Sequence, residues 1–256
     1  MNSGRTPAVV IGVRSYGESD KIVTFYSLSR GRLSGIAKGA HRSLKRFVNK
    51  LELFSHLEIL YTESRNSSLV RIDQAELLTS FPMIRADYNR YAAASLAAEL
   101  IFHWTRENDP DKRIFELLLW ALACLENLKQ PPAWTVILFN IKLLTLLGYK
   151  PALEGCTECA TLAPRNGPYR FSPTRNGLLC RRCAELNNNA KPEEGPGLAF
   201  SLSTARLLQK AQELPLAKLD RLRFSPAATK EALTILKIYG NSLLQREISS
   251  WDFIAG

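Results

Sequence analysis

No acidic residue occurs between Asp20 and Glu52. That gap excludes the mixed-sign surface usual for a merely solvated face. Common catalytic signatures are missing too: the chain has no GxxxxGKS/T phosphate loop, no HExxH, no GxSxG and no GxGxxG. Nothing in it therefore argues for an NTPase, a zinc protease of that type, a nucleophile-elbow hydrolase or a dinucleotide enzyme. Histidine is scarce, with only His41, His56 and His103. His41 sits in a basic run, His56 within an alternating strand and His103 beside Trp104 on a helix, so none has a visible catalytic partner. Enzyme activity is not expected.

Long apolar runs are also absent. The most apolar segments, IFELLLWALACLENL and AWTVILFNIKLLTLLGY, are interrupted by Glu116, Glu126, Lys129, Pro131 and Pro132. Neither offers the roughly twenty clean residues of a membrane span, and both read as buried helices. The N-terminus reaches Pro7 and then Arg14, Glu18 and Asp20, without the apolar centre of an export signal. The expectation is a cytoplasmic protein with no membrane partner. In that compartment thiols stay reduced, so paired cysteines suggest a metal before a disulfide.

Five β-rich segments occupy the first eighty residues: AVVIGVRSY, KIVTFYSL, RLSGIAKG, LELFSHLEILYT and SLVRIDQAELL. Period-two alternation buries one face of each, and the run Glu63-Ser64-Arg65-Asn66-Ser67-Ser68 reads as the turn joining the last two. A five-stranded OB-fold barrel fits best, with a β-sandwich as the alternative. After Phe81-Pro82 the period becomes helical. Leu96, Leu100 and Trp104 lie four apart, Asp109-Pro110 has the chemistry of a helix start, and Pro131-Pro132 separates a second helix from a third that closes at Gly148. The polar run NNNAKPEEGPG reads as a linker. Helical spacing resumes at Ser201 to Leu214, and Ser225-Pro226 opens a last helix running to about Glu247. The expected fold class is thus α+β and multi-domain. It comprises an OB-fold barrel at 1–80, an α-helical bundle beginning at 81–150, an inserted four-cysteine, zinc-ribbon-like module at 151–190 and a C-terminal helical part at 191–256.

Cys156, Cys159, Cys180 and Cys183 form two CxxC pairs with twenty residues between them. Two residues between ligands make a tight knuckle that aims both sulfurs inward, and a spacer of this length forms a ribbon that brings the knuckles together. Asn166-Gly167 and Asn176-Gly177 are hairpin-turn signals on either side of Tyr169-Arg170-Phe171, which can form a strand. One structural Zn²⁺ is expected, because four thiolates leave no open position for water. Free reduced thiols or a redox pair are the alternatives, and a hydrolase using the zinc is disfavoured. Arg181 and Arg182 lie inside the second knuckle, where they can offset the cluster's negative charge; Arg170 and Arg175 are candidates for weaker phosphate contacts. Cys124, amid apolar helical residues, reads as a core thiol.

The formal charge of +10 suggests a polyanionic partner. Residues 1–80 carry twelve Lys/Arg against seven Asp/Glu, whereas 81–150 carry eight against seven. Within the acid-free stretch lie Lys21, Arg30, Arg32, Lys38, Arg42, Lys45, Arg46 and Lys50, the expected nucleic-acid-contacting residues. Phe25, Tyr26, Phe47, Phe54 and Tyr61 interleave with them. Base stacking is one reading of these aromatics, and barrel core is favoured for most. An RNA- or ribosome-associated binding module is the alternative function.

The run YGESDKIVTFYSLSRGRLSGIAKGAHRSLKRF, the segment LELFSHLEILYTESRNSSLVRIDQAELLTSFPMIRADYNRYAAASLAAEL and the helix end LLTLLGYKPALEGCTECA resemble the RecO family of bacterial recombination mediators, in order along nearly the whole chain. The resemblance implies an N-terminal OB-fold, a helical domain and an inserted zinc module. It implies a non-enzymatic DNA-repair protein of the RecF pathway, nucleoid-associated, which binds single- and double-stranded DNA and anneals complementary strands. RecR and single-stranded-DNA-binding protein are the implied partners, with RecA indirectly. By position, the four cysteines would be the zinc ligands, and the basic AKG motif with its sequel falls on Lys38, Arg42, Lys45 and Arg46.

Overall fold

The computed structural model describes residues 3–43, 46–64, 67–128, 130–161, 169–190 and 197–254, without the side chains of 187–190. Lys45, the Arg65-Asn66 part of the expected turn, Asn166-Gly167 and most of the linker lie outside the described residues. The chain packs as two compact units, Met1–Asn127 and Leu128–Gly256.

In the first unit, strands β1 (Ser3–Tyr16), β2 (Asp20–Ser27), β3 (Gly31–Ala37), β4 (His56–Thr62) and β5 (Val70–Thr79) close a barrel in the order β1-β2-β3-β5-β4. The five strands expected from the alternation are all present. The 14-residue β1 pairs antiparallel with both β2 and β4, and an irregularity between Val10 and Gly12 turns it from one partner to the other. A parallel pairing of β3 with β5 closes the ring. Alternation fills the interior: Ala8, Val10, Val23, Phe25, Leu33, Leu57, Ile59 and Ile72 form one core cluster.

Three helices, α1 (Pro82–Ala86), α2 (Tyr88–Trp104) and α3 (Lys112–Asn127), complete this unit. Asp87 caps α2 by accepting the Arg90 amide. Phe81, at the N-cap of α1, supplies no side-chain acceptor. Glu126 of α3 does so instead, taking the Met83 amide at 3.0 Å and the Ile84 amide at 3.2 Å. The α3 start differs from the sequence expectation. Asp111 replaces Asp109 as the cap, accepting the Arg113 amide at 2.8 Å, because the Asp109 carbonyl packs against Gly31.

Gly31 has φ of +63°, and a Cβ there would strike the Asp109 carbonyl carbon at 2.6 Å and the Pro110 nitrogen at 3.0 Å. Both obstacles are backbone. Gly31→Ala is therefore expected to destabilise the first unit by about 2–4 kcal/mol, combining left-handed strain with overpacking. Chemical denaturation with a barrel-specific probe checks this, and a loss below about 1 kcal/mol would contradict it.

The second unit contains α4 (Pro132–Leu146), then a four-stranded sheet of β6 (Ala152–Cys156), β7 (Tyr169–Ser172), β8 (Gly177–Cys180) and β9 (Leu198–Phe200) in the order β6-β8-β7-β9. Helix α5 (Arg181–Ala190) follows β8, and α6 (Leu202–Glu213), α7 (Leu216–Leu219), α8 (Pro226–Leu244) and a 3-10 turn (Ser249–Phe253) follow β9. Ser201 and Ser225 cap α6 and α8 by accepting the Thr204 and Ala228 amides. Asn176 has φ of 53° and donates its amide to the Pro173 carbonyl at 3.2 Å, so a hairpin turn forms here over Pro173 to Asn176, with Gly177 opening β8 opposite Ser172. Among the described residues, no helix is long and apolar enough to cross a membrane.

Candidate nucleic-acid interface and metal centre

The connection from β3 to β4 carries the densest cations, and its conformation follows from where its apolar residues go. Phe47, Leu51 and Phe54 are spaced to share one side, and all three are buried at the barrel. The Ser43 hydroxyl accepts the Arg46 and Phe47 amides at 3.1 and 3.2 Å, starting a tight turn. Outside it, Arg46 donates to the Lys38 carbonyl at 3.1 Å and lies over the Phe47 ring at 4.9 Å. The Lys50 ammonium donates to the Arg46 carbonyl at 3.3 Å. Arg42 is 74 % exposed, with Glu18 3.7 Å away. Lys38, Arg42, Arg46 and Lys50 thus share one connection.

This connection is fastened to the turn between β1 and β2. Asp20 accepts the Gly39 amide at 2.8 Å, and the His41 amide donates to the Ser19 carbonyl at 2.9 Å. The Gly39 amide, with Ser19 next, pulls the Asp20 carboxyl below its ordinary value. A lowered carboxylate contributes above its ordinary pKa and is lost as pH falls through the lowered one. The fastening is therefore present at neutral pH.

The other sequence-predicted cations are elsewhere. Arg30 and Arg32 lie at the far end of β3 from Lys38, about 20 Å along a strand of this length. Arg30 is held by Glu63 at 2.6 Å and the Asn108 side chain at 3.1 Å. Arg32 lies over the Phe102 ring at 4.7 Å. Lys21 reaches Glu52 at 3.1 Å, so the first acid past the gap folds back onto its first cation. Phe25, Tyr26, Phe47, Phe54 and Tyr61 are all buried, and the core reading holds for each. Sequence reasoning missed Arg14 and Tyr16, both exposed. The acid-free window begins after them, and only β1–β2 pairing brings them alongside. His56 is half-buried, its ring edge-on to Phe115 at 5.9 Å; the partial loss of solvent pulls its imidazole below the ordinary value, and it is placed as a packing residue.

In the second unit the four cysteine sulfurs lie within 4.8 Å of one another. Cys156 ends β6, Cys180 ends β8 and Cys183 sits in the first turn of α5, so three elements converge on one point. Four sulfurs around a tetrahedral zinc at about 2.3 Å stand about 3.8 Å apart, and Cys159 and Cys180 are separated by 3.8 Å. Hydrogen bonding from Thr161 pushes the Cys159 thiol down to about 6, while burial and the neighbouring sulfurs push Cys183 up to about 12. As four thiolates these sulfurs would repel one another, and a divalent metal would supply the compensating charge. The donor set therefore fits a structural metal.

Arg181 does not offset this cluster as read, because Glu185 one turn later takes it at 2.8 Å. Arg175 pairs with Glu158 at 3.2 Å and Arg170 donates to the Gly197 carbonyl at 2.9 Å. Local acids and carbonyls engage three of the four arginines; Arg181 and Arg182 are both exposed, and Arg182 is the one outside these contacts.

Comparison with known proteins bears on both sites. Residues 1–81 match the family described as Recombination protein O N terminal, and residues 85–252 match Recombination protein O C terminal. The chain belongs to the RecO family. It is 33 % identical over 247 residues to a DNA repair protein RecO from Syntrophus aciditrophicus, covering 96 % of this chain and 93 % of that one. A DNA repair protein RecO from Roseiflexus sp. is 33 % identical over 250 residues, covering 98 % and 84 %. One from Desulfosudis oleivorans is 31 % identical over 256 residues, covering 96 % and 94 %. RecO membership supports a role in DNA repair and recombination. The RecO N-terminal match ends with the barrel, whereas the compact unit continues through α3 to Asn127. Helices assigned to the RecO C-terminal match therefore pack with the barrel.

Proposed function

We propose that this chain is a non-enzymatic DNA-binding and strand-annealing protein. It binds single- and double-stranded DNA and, with RecR and single-stranded-DNA-binding protein, helps load RecA. The observation that carries this reading is the acid-free connection of Lys38, Arg42, Arg46 and Lys50, fastened to a closed barrel. Clustered cations neutralise phosphates and release counterions, giving affinity with little sequence readout. Neutralising two strands at once lowers their repulsion while the bases stay free to pair. Phosphate contact is assigned to Lys38, Arg42, Lys45, Arg46 and Lys50. Lys21, Arg30 and Arg32 are assigned a supporting part: acids hold Lys21 and Arg30 at 3.1 and 2.6 Å, and Arg30 and Arg32 lie at the far end of β3.

We assign the cysteine cluster to one structural Zn²⁺ held by Cys156, Cys159, Cys180 and Cys183, bracing the small sheet. The four-part division at 1–80, 81–150, 151–190 and 191–256 is proposed as the modular plan, and a nucleoid-associated cytoplasmic location follows from the role.

The test is annealing of complementary strands coated with their cognate single-strand-binding protein. Acceleration of duplex formation is expected. No acceleration at saturating protein would overturn the annealing role. Competition by a matched RNA oligonucleotide as strong as by DNA would favour an RNA-associated function instead.

A further inference from the structure

Of the aromatic residues in the barrel strands and their described connections, Tyr16 alone is exposed, at 55 %, while Phe25, Tyr26, Phe47, Phe54 and Tyr61 are buried. Its position follows from register. Val13 pairs with Val23, Arg14 with Ile22 and Tyr16 with Asp20. Val23 belongs to the barrel core and Val13 packs against it, so alternation sends Arg14 and Tyr16 to the outside. On the neighbouring strands Ile22 pairs with Ile36, and Ile36 with Arg71. The row therefore runs from Arg14 through Ile22, itself buried, and Ile36 to Arg71, which pairs with Asp73 at 2.7 Å, while Tyr16 stands opposite Asp20. At its β3–β5 end is a cleft of about 260 Å³ whose lining includes Ile36, Lys38, Leu69 and Arg71.

Tyr16 is coupled to the basic connection. Its pairing partner Asp20 holds the Gly39 amide at 2.8 Å, and Glu18, two residues along the same turn, stands 3.7 Å from Arg42. An exposed ring thus lies on the same strand face as Arg14 and pairs across with Asp20, whose carboxylate fastens the connection that carries Lys38 and Arg42. This arrangement combines a π-face with a track of cations, the two elements that hold a single strand by its bases and its phosphates.

We infer that Tyr16 is a base-stacking platform for single-stranded DNA, with the adjoining phosphates on Lys38 and Arg42. The inference rests on the DNA-binding reading above and makes it more specific: cations hold any strand, and Tyr16 holds only one whose bases are unpaired. Bases in a duplex are stacked on each other and present no face to it.

The test uses the full chain and three fluorescent probes of equal length: oligo(dT), an oligomer of abasic sites and a duplex. Tyr16→Ala is expected to weaken oligo(dT) binding about fivefold to a hundredfold, the span of one base–aromatic stack, and to leave the abasic oligomer and the duplex unchanged. Tyr16→Phe and Tyr16→Trp retain a ring and are expected to bind oligo(dT) as the parent does. Because the ring is exposed, the thermal midpoint of Tyr16→Ala should match the parent's. Unchanged oligo(dT) binding by Tyr16→Ala, or equal weakening of all three probes, overturns the inference while leaving DNA binding in place. Failure of the parent protein to bind any probe overturns the DNA-binding reading itself.

Discussion

Replacing Lys38, Arg42 and Arg46 together with glutamate should weaken binding to a duplex DNA oligonucleotide roughly a hundredfold at physiological salt. Each phosphate contact contributes a salt exponent of about 0.9, so at about 0.15 M one contact is worth roughly fivefold and three are worth roughly a hundredfold. The slope of log affinity against log salt should become shallower by about 2.7. Arg42 is highly exposed, and its contact with Glu18 at 3.7 Å is long and solvent-screened, so its loss costs the fold little. Arg46 also holds the Lys38 carbonyl, and its replacement loosens the connection as well as removing charge. The pair Lys38→Glu and Arg42→Glu keeps that bond and should flatten the slope by about 1.8. Anisotropy titrations from low to high salt read both variants, with circular dichroism to confirm folding. A salt slope unchanged in a folded double variant would sink this placement of the phosphate contacts.

Loss of metal from the cysteine cluster should have a large effect confined to the second unit. Protein purified without added zinc is expected to carry one zinc per chain. Cys180→Ser should strip it and lower the stability of that unit by several kcal/mol, since the free energy of structural zinc binding is folding free energy. The elements at stake are the ends of β6 and β8 and the start of α5, which meet at the sulfurs. Binding of oligo(dT) should change less than about twofold, because the cations assigned to phosphate lie in the barrel unit. Metal analysis, thiol titration and thermal unfolding check the prediction. Substoichiometric metal alongside four titratable thiols would contradict the zinc assignment, and loss of DNA binding equal to that of the charge variants would move part of the interface to the second unit.

Much of this molecule was legible because its signals are local. Strand alternation follows from the two-residue period of side chains about a sheet, which is why β3 and β4 read cleanly. Ser225 before Pro226 caps its helix as read, and a hairpin turn does form at Asn176, though it spans Pro173 to Asn176 with Gly177 already in β8. The cysteine pairs were legible for the same reason: two residues between ligands define a knuckle whatever surrounds it.

Other features were invisible because they depend on pairing partners distant in sequence. Strand β9 is three residues long and follows a polar linker, so no periodicity could show it; it exists because β7 offers it an edge. Arg181 looked free to face the sulfurs until helix α5 placed Glu185 one turn away. Asp109-Pro110 looked like a helix start, yet the close approach to Gly31 displaced the cap to Asp111.

By itself, the sequence determined the barrel, the four-cysteine cluster and the stretch where acids are missing, because periodicity, cysteine spacing and composition are properties of the chain before it folds. Only the tertiary structure decided which cations share a surface. Barrel closure sent Arg30 and Arg32 to one end of β3 and Lys38 to the other, and buried the five aromatics that alternate with the charges. The same β1–β2 pairing set Tyr16 opposite Asp20, whose carboxylate fastens the basic connection. Charge along a sequence is one-dimensional, whereas a polyanion meets a surface, and the sheet register set which residues share that surface.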